Sequence, residues 1–283
     1  MKFGIMLKPA PRVQKKAQEL VQWLLKHHVE TFIQNSSPPS VDLLNKPKIS
    51  EIPDDLDCVF VLGGDGTFLN AVRWIGKKNF PVVGIKFGRM GFLAETTEDN
   101  LIPMAKAILE HKYIIEKRMR LKATLMNNGQ EKTTQYVLND IVINKGTLAR
   151  LANIRTFIDG HDLTTYKADG LIVSTPTGST AYSLAAGGPV IHPAISAIMM
   201  TPICPFTLTN RPLIIPDTAK VKIQLAQDPT DILLTFDGQT GLPITAKDTL
   251  LIQKATHPVN IIKMPEKNYF DVLKTKLRWS GGR

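Results

Sequence analysis

The stretch Gly63-Gly64-Asp65-Gly66-Thr67 joins two segments of different character. Before it, the apolar run Cys58–Leu62 is typical of a buried parallel strand, and after it residues 68–74 have the pattern of a helix start. Glycines at a strand-to-helix turn let backbone N–H groups approach an anion, which a helix N-terminus also favours. The stretch therefore predicts a phosphate-binding turn in an α/β fold.

Asp65 is unexpected in a turn that only holds phosphate, because like charges repel. A carboxylate among these glycines indicates a general base or a metal anchor beside the phosphate. The alternative is a tight turn in which Asp65 is the N-cap of the helix.

The composition favours small acidic ligands. The 283 residues carry a net charge of +10, which suits nucleotides, nucleic acid or a membrane surface. Arg118, Arg120 and Lys122 share one face of an expected strand, and we expect that face to be solvated because no aromatic stacking platform accompanies it. For the same reason we expect no nucleic-acid partner. We also expect no membrane span, because the apolar stretch 191–206 is interrupted by prolines.

The cysteine content favours a reducing, cytoplasmic location. Cys58 lies in an expected buried strand and Cys204 is the only other cysteine, so a disulfide and a zinc site are both unexpected. No metal ligand is assigned to a protein side chain. The first eight residues have the pattern of a strand rather than a signal peptide.

The chain divides into an α/β half and a β-rich half. Residues 1–113 alternate strands with helices, which predicts a Rossmann-like nucleotide-binding domain with a parallel sheet. Residues 114–264 carry short strands, one of them spanning 135–144, and predict a β-sandwich-like domain. Residues 265–283 return to helical spacing, and we expect them to pack back on the first domain.

Two further polar groups stand at strand ends. Residues 174–183 (STPTGSTAYS) run from an apolar strand into a hydroxyl-rich turn, with a helix expected to begin near Ser179. These hydroxyls suit either helix capping or a ligand's ribose, phosphate or amide groups. Asn139-Asp140 is embedded in a strand-like run, where both residue types are unfavourable. The pair indicates either a bulge or two acceptors for vicinal sugar hydroxyls.

In combination these elements resemble the NAD kinase family over nearly the whole chain. The glycine–aspartate loop alone also occurs in diacylglycerol and sphingosine kinases and, in a related form, in phosphofructokinases, but its combination with 174–183 is specific. The matching residues, in order, are 63–66, 88–93, 139–140, 169–183, 187–189, 237–239 and 276–280.

The resemblance implies transfer of the γ-phosphoryl group of ATP, or of polyphosphate, to the 2′-hydroxyl of the adenosine ribose of NAD. A ribose hydroxyl is a poor nucleophile, so a carboxylate should accept its proton, and Asp65 is the expected base. The phosphate loop would comprise Gly63, Gly64, Gly66 and Thr67, with Mg²⁺ neutralising charge. The resemblance also implies an active site between the two domains and a homo-oligomer, a tetramer built as a dimer of dimers.

Further residues follow from the resemblance alone. Besides Asp65 and Gly66, Asn139 and Asp140 are expected to hold the ribose or adenine. Arg150, Lys167 and Asp169 should lie near the nicotinamide half or across a subunit boundary, although surface positions would suit the two basic residues equally. The dinucleotide pocket is expected to be lined by Thr180, Ala181, Tyr182, Ser183, Leu184, Ala185 and Gln239.

Three departures from the family pattern and two rival functions qualify this prediction. Asp140 replaces a usual Glu, Ala168 replaces a common Ser, and Arg89-Met90 replaces Asn-Leu.

The rivals are a kinase that acts on a lipid or sugar and a non-catalytic dinucleotide sensor, which would not need Asp65. The apolar, proline-interrupted run 191–216 suits either a subunit interface or a buried loop.

Overall fold

The computed structural model describes residues 1–40, 42–43, 51–88, 91–146, 151–226, 231–265 and 268–279. The chain forms two compact units, one of residues 1–38, 48–117 and 259–283, the other of residues 39–47 and 118–258. Each unit has its own hydrophobic core.

The elements of the chain up to residue 118 are β1 (Lys2–Leu7), α1 (Pro11–Lys26), β2 (Glu30–Asn35), β3 (Cys58–Leu62), α2 (Asp65–Ile75), β4 (Val82–Lys86), β5 (Thr96–Thr97), a 3₁₀ turn (Glu98–Asn100), α3 (Leu101–Leu109) and β6 (Ile114–Arg118). The remaining elements are β7 (Leu121–Asn127), β8 (Gln130–Val137), β9 (Asp140–Lys145), β10 (Ala152–Ile158), β11 (His161–Ala168), β12 (Gly170–Ser174), a 3₁₀ turn (Thr177–Thr180), α4 (Tyr182–Ala185), β13 (Ala197–Ile203), β14 (Leu213–Pro216), β15 (Val221–Leu225), β16 (Ile232–Phe236), β17 (Thr240–Ile244), β18 (Asp248–Lys254), β19 (Val259–Lys263) and α5 (Tyr269–Leu277).

The first unit is built on a mixed α/β sheet. Its strand order is β2-β1-β3-β4-β19-β6, with β5 beside β4, and the neighbours from β2 to β19 run parallel. Pro11 opens α1, and the apolar spacing of that helix buries one stripe against the sheet. The central strand β3 is buried throughout, so the turn that follows it is anchored on a rigid element.

The limits of the second domain, expected at residues 114 and 264, differ from those of the compact units. Strands β6 and β19 lie in the sheet of the first unit, whereas residues 39–47 belong to the second. There Ser40 forms a bridge with Thr240, and its N–H donates to Gln239 O at 2.9 Å. Short strands carry no local signal of the sheet that they will join, because the partners are distant in sequence.

The second unit consists of two antiparallel sheets. Their orders are β11-β10-β15-β18-β7-β8 and β14-β13-β12-β9-β16-β17. Residues from both sheets form one core, which is the arrangement of a β-sandwich. The predicted α/β plus all-β fold class is therefore confirmed.

Three local predictions were wrong. The expected strand 135–144 is two strands, β8 and β9, separated at Leu138 and Asn139. The helix expected near Ser179 is a 3₁₀ turn followed by the four-residue α4. Within the apolar run 191–216, residues 197–203 are a strand rather than a loop: β13 pairs with β12 and β14 and is buried along its length.

None of the helices within the described ranges is long and apolar enough to cross a membrane.

Candidate functional site

Asp65 is held by the backbone of a distant segment. It is the first residue of α2, and its carboxylate accepts hydrogen bonds from Phe92 N (2.8 Å), Leu93 N (3.1 Å) and Ala94 N (3.3 Å). A carboxylate has about four lone-pair sites, so about one remains for a further donor. The side chain is thus fixed in direction and retains the capacity to accept a hydroxyl proton.

The N-capping alternative for Asp65 does not describe this geometry. Gly64 is the N-cap of α2, while the Asp65 carboxylate bonds to residues 27 to 29 positions further along the chain. A Cβ on Gly91 would overlap Asp65 Oδ1, so glycine is required there for the segment to approach. The carboxylate and the 91–94 segment form one structural unit.

The glycines of the loop have different reasons to be glycine. A Cβ on Gly63 would overlap the Thr67 side chain, so packing within the turn explains Gly63. At Gly64 a Cβ would have nothing within 4 Å, and φ is −99°, a conformation open to any residue. Neither space nor backbone angle requires glycine at Gly64, which leaves its place as the N-cap of α2, where glycine is favoured, and the approach of a ligand as reasons. Gly66 is exposed at the first turn of α2, where helix N–H groups lack intrahelical partners.

In the second unit, Asp237 fixes the backbone that carries Asn139 and Asp140. Its Oδ1 accepts from Asn139 N (2.7 Å) and Asp140 N (3.1 Å), and its Oδ2 accepts from Leu138 N (3.0 Å). These N–H groups belong to the link between β8 and β9 and to the first residue of β9, where the sheet ladder is interrupted. Because the N–H groups are paired, the link keeps one conformation.

The side chains at this link are buried and polar. Asp140 is 4% exposed, and burial, reinforced by the nearby Asp237 carboxylate, raises the pKa of Asp140 to about 7, while a backbone hydrogen bond from Tyr182 opposes the rise. Within the described part of the chain, Asn139 Oδ1 and Ser174 Oγ are buried without a hydrogen-bond partner. Such atoms suit a polar ligand, because an unsatisfied buried group is costly.

The hydroxyl-rich turn packs directly on Asn139. Thr175 N donates to Asn139 O (2.9 Å), Thr175 Oγ1 donates to Leu138 O (2.6 Å), and a Cβ on Gly178 would overlap Asn139 O. Ser174 lies opposite Asp140 in the register of β12 and β9. The 139–140, 174–183 and 237–239 elements are therefore brought together within one unit.

Several of these hydroxyls serve the turn itself. Ser179 Oγ donates to Pro176 O (2.7 Å), and Ser183 Oγ is paired with Thr201 Oγ1 (2.7 Å), with both serines fully buried. Ser183 is therefore not exposed to a ligand in this structure, and its hydroxyl supports the turn from within. The part of the predicted lining that reaches the surface comprises Thr180, Ala181, Tyr182, Leu184 and Ala185, and Gln239 is partly exposed at the neighbouring turn.

Lys167 and Asp169 lie away from this cluster. Asp169 precedes β12 and pairs with Lys145 at 2.9 Å, whereas Ser174 and Asp140 are at the other end of the same strand pair. At about 3.3 Å per residue the two ends are roughly 17 Å apart. Lys167 is exposed, with its ammonium 4.8 Å from the Phe206 ring centre. Arg150 lies outside the described residues, as do Arg89, Met90 and Ser280.

The basic stripe at Arg118 and Arg120 is not a solvated face. Arg118 is 2% exposed and donates to Thr177 Oγ1 at 3.4 Å, and Arg120 is 1% exposed and donates to His257 O at 2.8 Å. Burial lowers the pKa of Arg120. The alternation argument failed because β6 ends at Arg118 and β7 begins at Leu121, so the residues do not share one strand.

Asp237 is the main site residue that residue-level reasoning missed. It has a positive φ of 51° at the turn after β16. The sequence signal was only its place in the Asp237-Gly238-Gln239 element.

Family models match both parts of the chain. Residues 3–113 match the ATP-NAD kinase N-terminal domain, and residues 138–264 match the ATP-NAD kinase C-terminal domain. A relative named NAD kinase from Desulfatibacillum aliphaticivorans is 52% identical over 282 residues, covering 100% of this chain and 99% of the relative. One named NAD kinase from Geotalea daltonii is 42% identical over 269 residues, 95% of each chain.

Solved structures share the fold. Yeast NADH kinase complexed with NADH has a TM-score of 0.86 at 27% identity, covering 100% of this chain and 89% of that one. An NAD kinase from Archaeoglobus fulgidus in complex with ATP has a TM-score of 0.75 at 23% identity, covering 97% and 99%, and shows likeness of fold alone.

The α/β unit with its glycine–aspartate loop and the β-sandwich unit with its buried polar cluster thus define a two-unit protein of the dinucleotide-kinase class. With both domain models matched, the chain belongs to the ATP-NAD kinase family.

Proposed function

We propose that the protein is an NAD kinase that transfers the γ-phosphoryl group of ATP, or of polyphosphate, to the 2′-hydroxyl of the adenosine ribose of NAD, giving NADP. Family membership and the full-length identity with relatives of that name support the activity. The observation that carries the mechanism is the Asp65 carboxylate, which three backbone N–H groups hold at the start of α2.

Asp65 accepts the proton of the attacking hydroxyl as its oxygen bonds to phosphorus. The P–O bond to the leaving ADP, or to the shortened polyphosphate, breaks in the same displacement. Most of the rate enhancement comes from in-line alignment and from stabilising charge on the transferred group. The N–H groups at Gly64, Gly66 and Thr67, beside the N-terminus of α2, supply fixed positive dipoles for that purpose.

Mg²⁺ enters with ATP rather than as a resident ion. No three His, Cys, Asp or Glu side chains in the described ranges are grouped to hold a metal, which suits an ion bound mainly by substrate phosphates and water. The acceptor site that remains on the Asp65 carboxylate is the one that receives the hydroxyl proton, so no side chain of the described ranges is assigned to the ion. The ion would neutralise phosphate charge.

Asn139 and Asp140 bind the adenosine part of NAD. Their support is the buried Asn139 Oδ1, the buried Asp140 carboxylate and the Asp237 clamp that orients both. The lining is completed by Thr180, Ala181, Tyr182, Leu184, Ala185 and Gln239, and the buried Ser183 supports it through its hydrogen bond with Thr201. An exposed Tyr182 ring is suited to stacking on a heterocycle.

Lys167, Asp169 and Arg150 act on a neighbouring subunit's ligand in a homo-oligomer, a tetramer of two dimers. Asp169 and Asp140 lie at opposite ends of the β12–β9 pair, which supports assigning them to the ligands of two different subunits. The exposed Phe206 (67%), which lies against Lys167, and the exposed Leu208 (86%) two residues further on provide apolar surface for such an interface. The resemblance to the family supports such an assembly. We place the enzyme in the cytoplasm, because Cys58 is a buried free thiol.

One assay separates this function from its rivals. The protein is incubated with ATP, Mg²⁺ and NAD, and NADP is measured; parallel reactions contain polyphosphate for ATP, or a lipid or sugar acceptor for NAD. We expect NADP to accumulate only when NAD is present. NAD binding without NADP would indicate a sensor, and phosphorylation of a lipid or sugar in the absence of NAD would indicate the other kinase class.

A further inference from the structure

A buried lysine in the first unit is paired with two glutamates. Lys263, the last residue of β19, lies with its Nζ 2.9 Å from Glu95 Oε1 and 2.6 Å from Glu116 Oε2. The side chains of Lys263 and Glu95 are 8% and 9% exposed, whereas that of Glu116 on β6 is 31% exposed. The Lys263–Glu95 pair is therefore the buried half of this arrangement.

Glu95 directly continues the segment that holds Asp65. Phe92, Leu93 and Ala94 donate their N–H groups to the Asp65 carboxylate, and Glu95 is the next residue. Beyond it, Thr96 pairs with Ile85 of β4. The segment thus runs from the Asp65 contacts to the lysine contact without an intervening residue.

Close packing on the sheet holds residues 92–95 in place, so that a shift of Glu95 would also shift the N–H groups of residues 92–94. Ala94 is fully buried, and a Cβ on Gly84 of β4 would lie 2.8 Å from Ala94 Cα, so the segment rests closely on the sheet. The cavity lined by Leu93, Glu95 and Lys263 is about 10 Å³, with room for at most about one water molecule. Little solvent is available to replace the ion pair.

Stability alone is a poor reason for such a pair. Removing two charges from water costs several kcal/mol, and replacing a buried ion pair by apolar residues of similar size is often neutral or stabilising. What the pair does supply is a short ionic contact between Glu95 Oε1 and the last residue of β19, although its angles fall outside hydrogen-bond geometry. A definite position matters here, because a misplacement of about 1 Å in an active site can reduce the rate about 10²-fold.

We propose that Lys263, acting through Glu95, is a positioning residue that fixes the 92–94 N–H groups and thereby the direction of the Asp65 carboxylate. The proposal rests on the proposed function of Asp65 as the base. Lys263 itself does not contact the carboxylate of Asp65. Its effect should therefore be seen in turnover rather than in NAD affinity.

The test compares two matched glutamate variants. Glu95→Gln and Glu116→Gln remove the same charge from the same lysine, but only Glu95 continues the 92–94 segment. We expect Glu95→Gln to lower kcat about ten- to hundredfold with the KM for NAD little changed. Glu116→Gln should keep kcat within about twofold, because a partly exposed ion pair contributes little. Equal losses of kcat in the two variants, or an unchanged kcat in Glu95→Gln, would overturn the proposal.

A second pair of variants separates positioning from stability. Lys263→Arg keeps the charge and should retain most of kcat. The double variant Glu95→Met, Lys263→Met replaces the pair by apolar side chains, and its melting temperature should be equal to or above that of Glu95→Gln while kcat stays low. Recovery of kcat together with the melting temperature would show a merely structural role. The wild type and Glu116→Gln are assayed for NADP formation in the same experiment. If both form NADP, a failure of the positioning role of Lys263 is distinguished from a failure of the proposed NAD kinase function.

Discussion

Asp140 holds its carboxylate where a charge is poorly solvated. Its pKa is raised to about 7, first by burial and then by the neighbouring Asp237. Some carboxyl groups have a higher pKa in the folded than in the unfolded state. Such a group contributes its full stabilisation at pH values below its pKa in the unfolded state. That contribution is lost as the pH rises through the folded value. The window for Asp140 is therefore from about pH 4 to about pH 7.

This window predicts the behaviour of Asp140→Asn, which resembles the neutral form. Near pH 4 the variant and the wild type should melt at similar temperatures, and the variant should melt progressively higher as the pH rises to 7, because the unfolded wild type ionises at a lower pH than the folded protein. Thermal unfolding between pH 4 and 8 measures the difference. A difference in melting temperature that is constant with pH would show that Asp140 does not titrate in this range.

Two neighbouring glycines give a second prediction at the residue scale. Gly64→Ala meets no atom within 4 Å and has an ordinary φ, so it should fold with at most a small loss of stability, which comes from the poorer N-cap. If a phosphate of ATP approaches the backbone at Gly64, the KM of Gly64→Ala for ATP should be clearly higher than that of the wild type. Gly63→Ala collides with Thr67 and should lower the melting temperature instead. Kinetics and thermal melts of both variants check this, and unchanged kinetics in Gly64→Ala would remove the ligand explanation for that glycine.

At the scale of elements, Asp237 joins the turn after β16 to the start of β9. Asp237→Ala leaves the N–H groups of Leu138, Asn139 and Asp140 without their acceptor. We expect it to destabilise the protein by about 2–4 kcal/mol, since hydrogen bonds to a charged group contribute about 1.5–3 kcal/mol each and are not additive. NAD affinity should fall as well.

The matched control for Asp237→Ala is Asp159→Ala. Asp159 also has a positive φ (49°) in a turn, and it accepts a backbone hydrogen bond from Lys220 N. The backbone strain that alanine introduces is therefore comparable at both sites. Chemical denaturation and NAD titration of the two variants isolate the effect of the clamp. Equal losses of stability with unchanged NAD affinity in both would contradict the role of Asp237.

The elements also show what the sequence could and could not predict. β3 and α1 were predictable because each carries one clear local pattern. β3 is a short continuous apolar run, and α1 has apolar residues at the 3.6-residue spacing of a helix. β13 was not, since its prolines suggested a loop, yet Pro202 is tolerated at its C-terminal end beside β12. The Asp65 clamp was also hidden, because its donors are backbone N–H groups 27 to 29 residues away and carry no sequence signature.

At the scale of the whole molecule, oligomerisation remains a prediction. The buried β13 removes most of the apolar run that first suggested an interface, and the exposed Phe206 and Leu208 now carry that argument. Activity per subunit should fall on dilution through the dissociation range, and NAD should shift the protein toward the oligomer by linkage. Sedimentation at nanomolar concentration, run beside the activity assay, tests this. A fully active monomer would show that each chain is sufficient.

The charge of the whole chain agrees with anionic substrates. A net charge of +10 spread over scattered lysines and arginines favours association with small polyanions such as ATP and NAD, and the effect should weaken as salt screens it.

The central claim is that Asp65 is the general base of NAD phosphorylation, and Asp65→Asn tests it most directly. Asparagine keeps the size of the side chain and one acceptor oxygen but cannot take up the hydroxyl proton. We predict that turnover falls by a factor of about 10² to 10⁴, the usual contribution of a general base. The dissociation constant for NAD should change little, whereas the melting temperature should fall, because the amide NH2 cannot accept the backbone N–H bond that one carboxylate oxygen accepts. Turnover within a few-fold of the wild type, in a variant that binds NAD normally, would contradict the account.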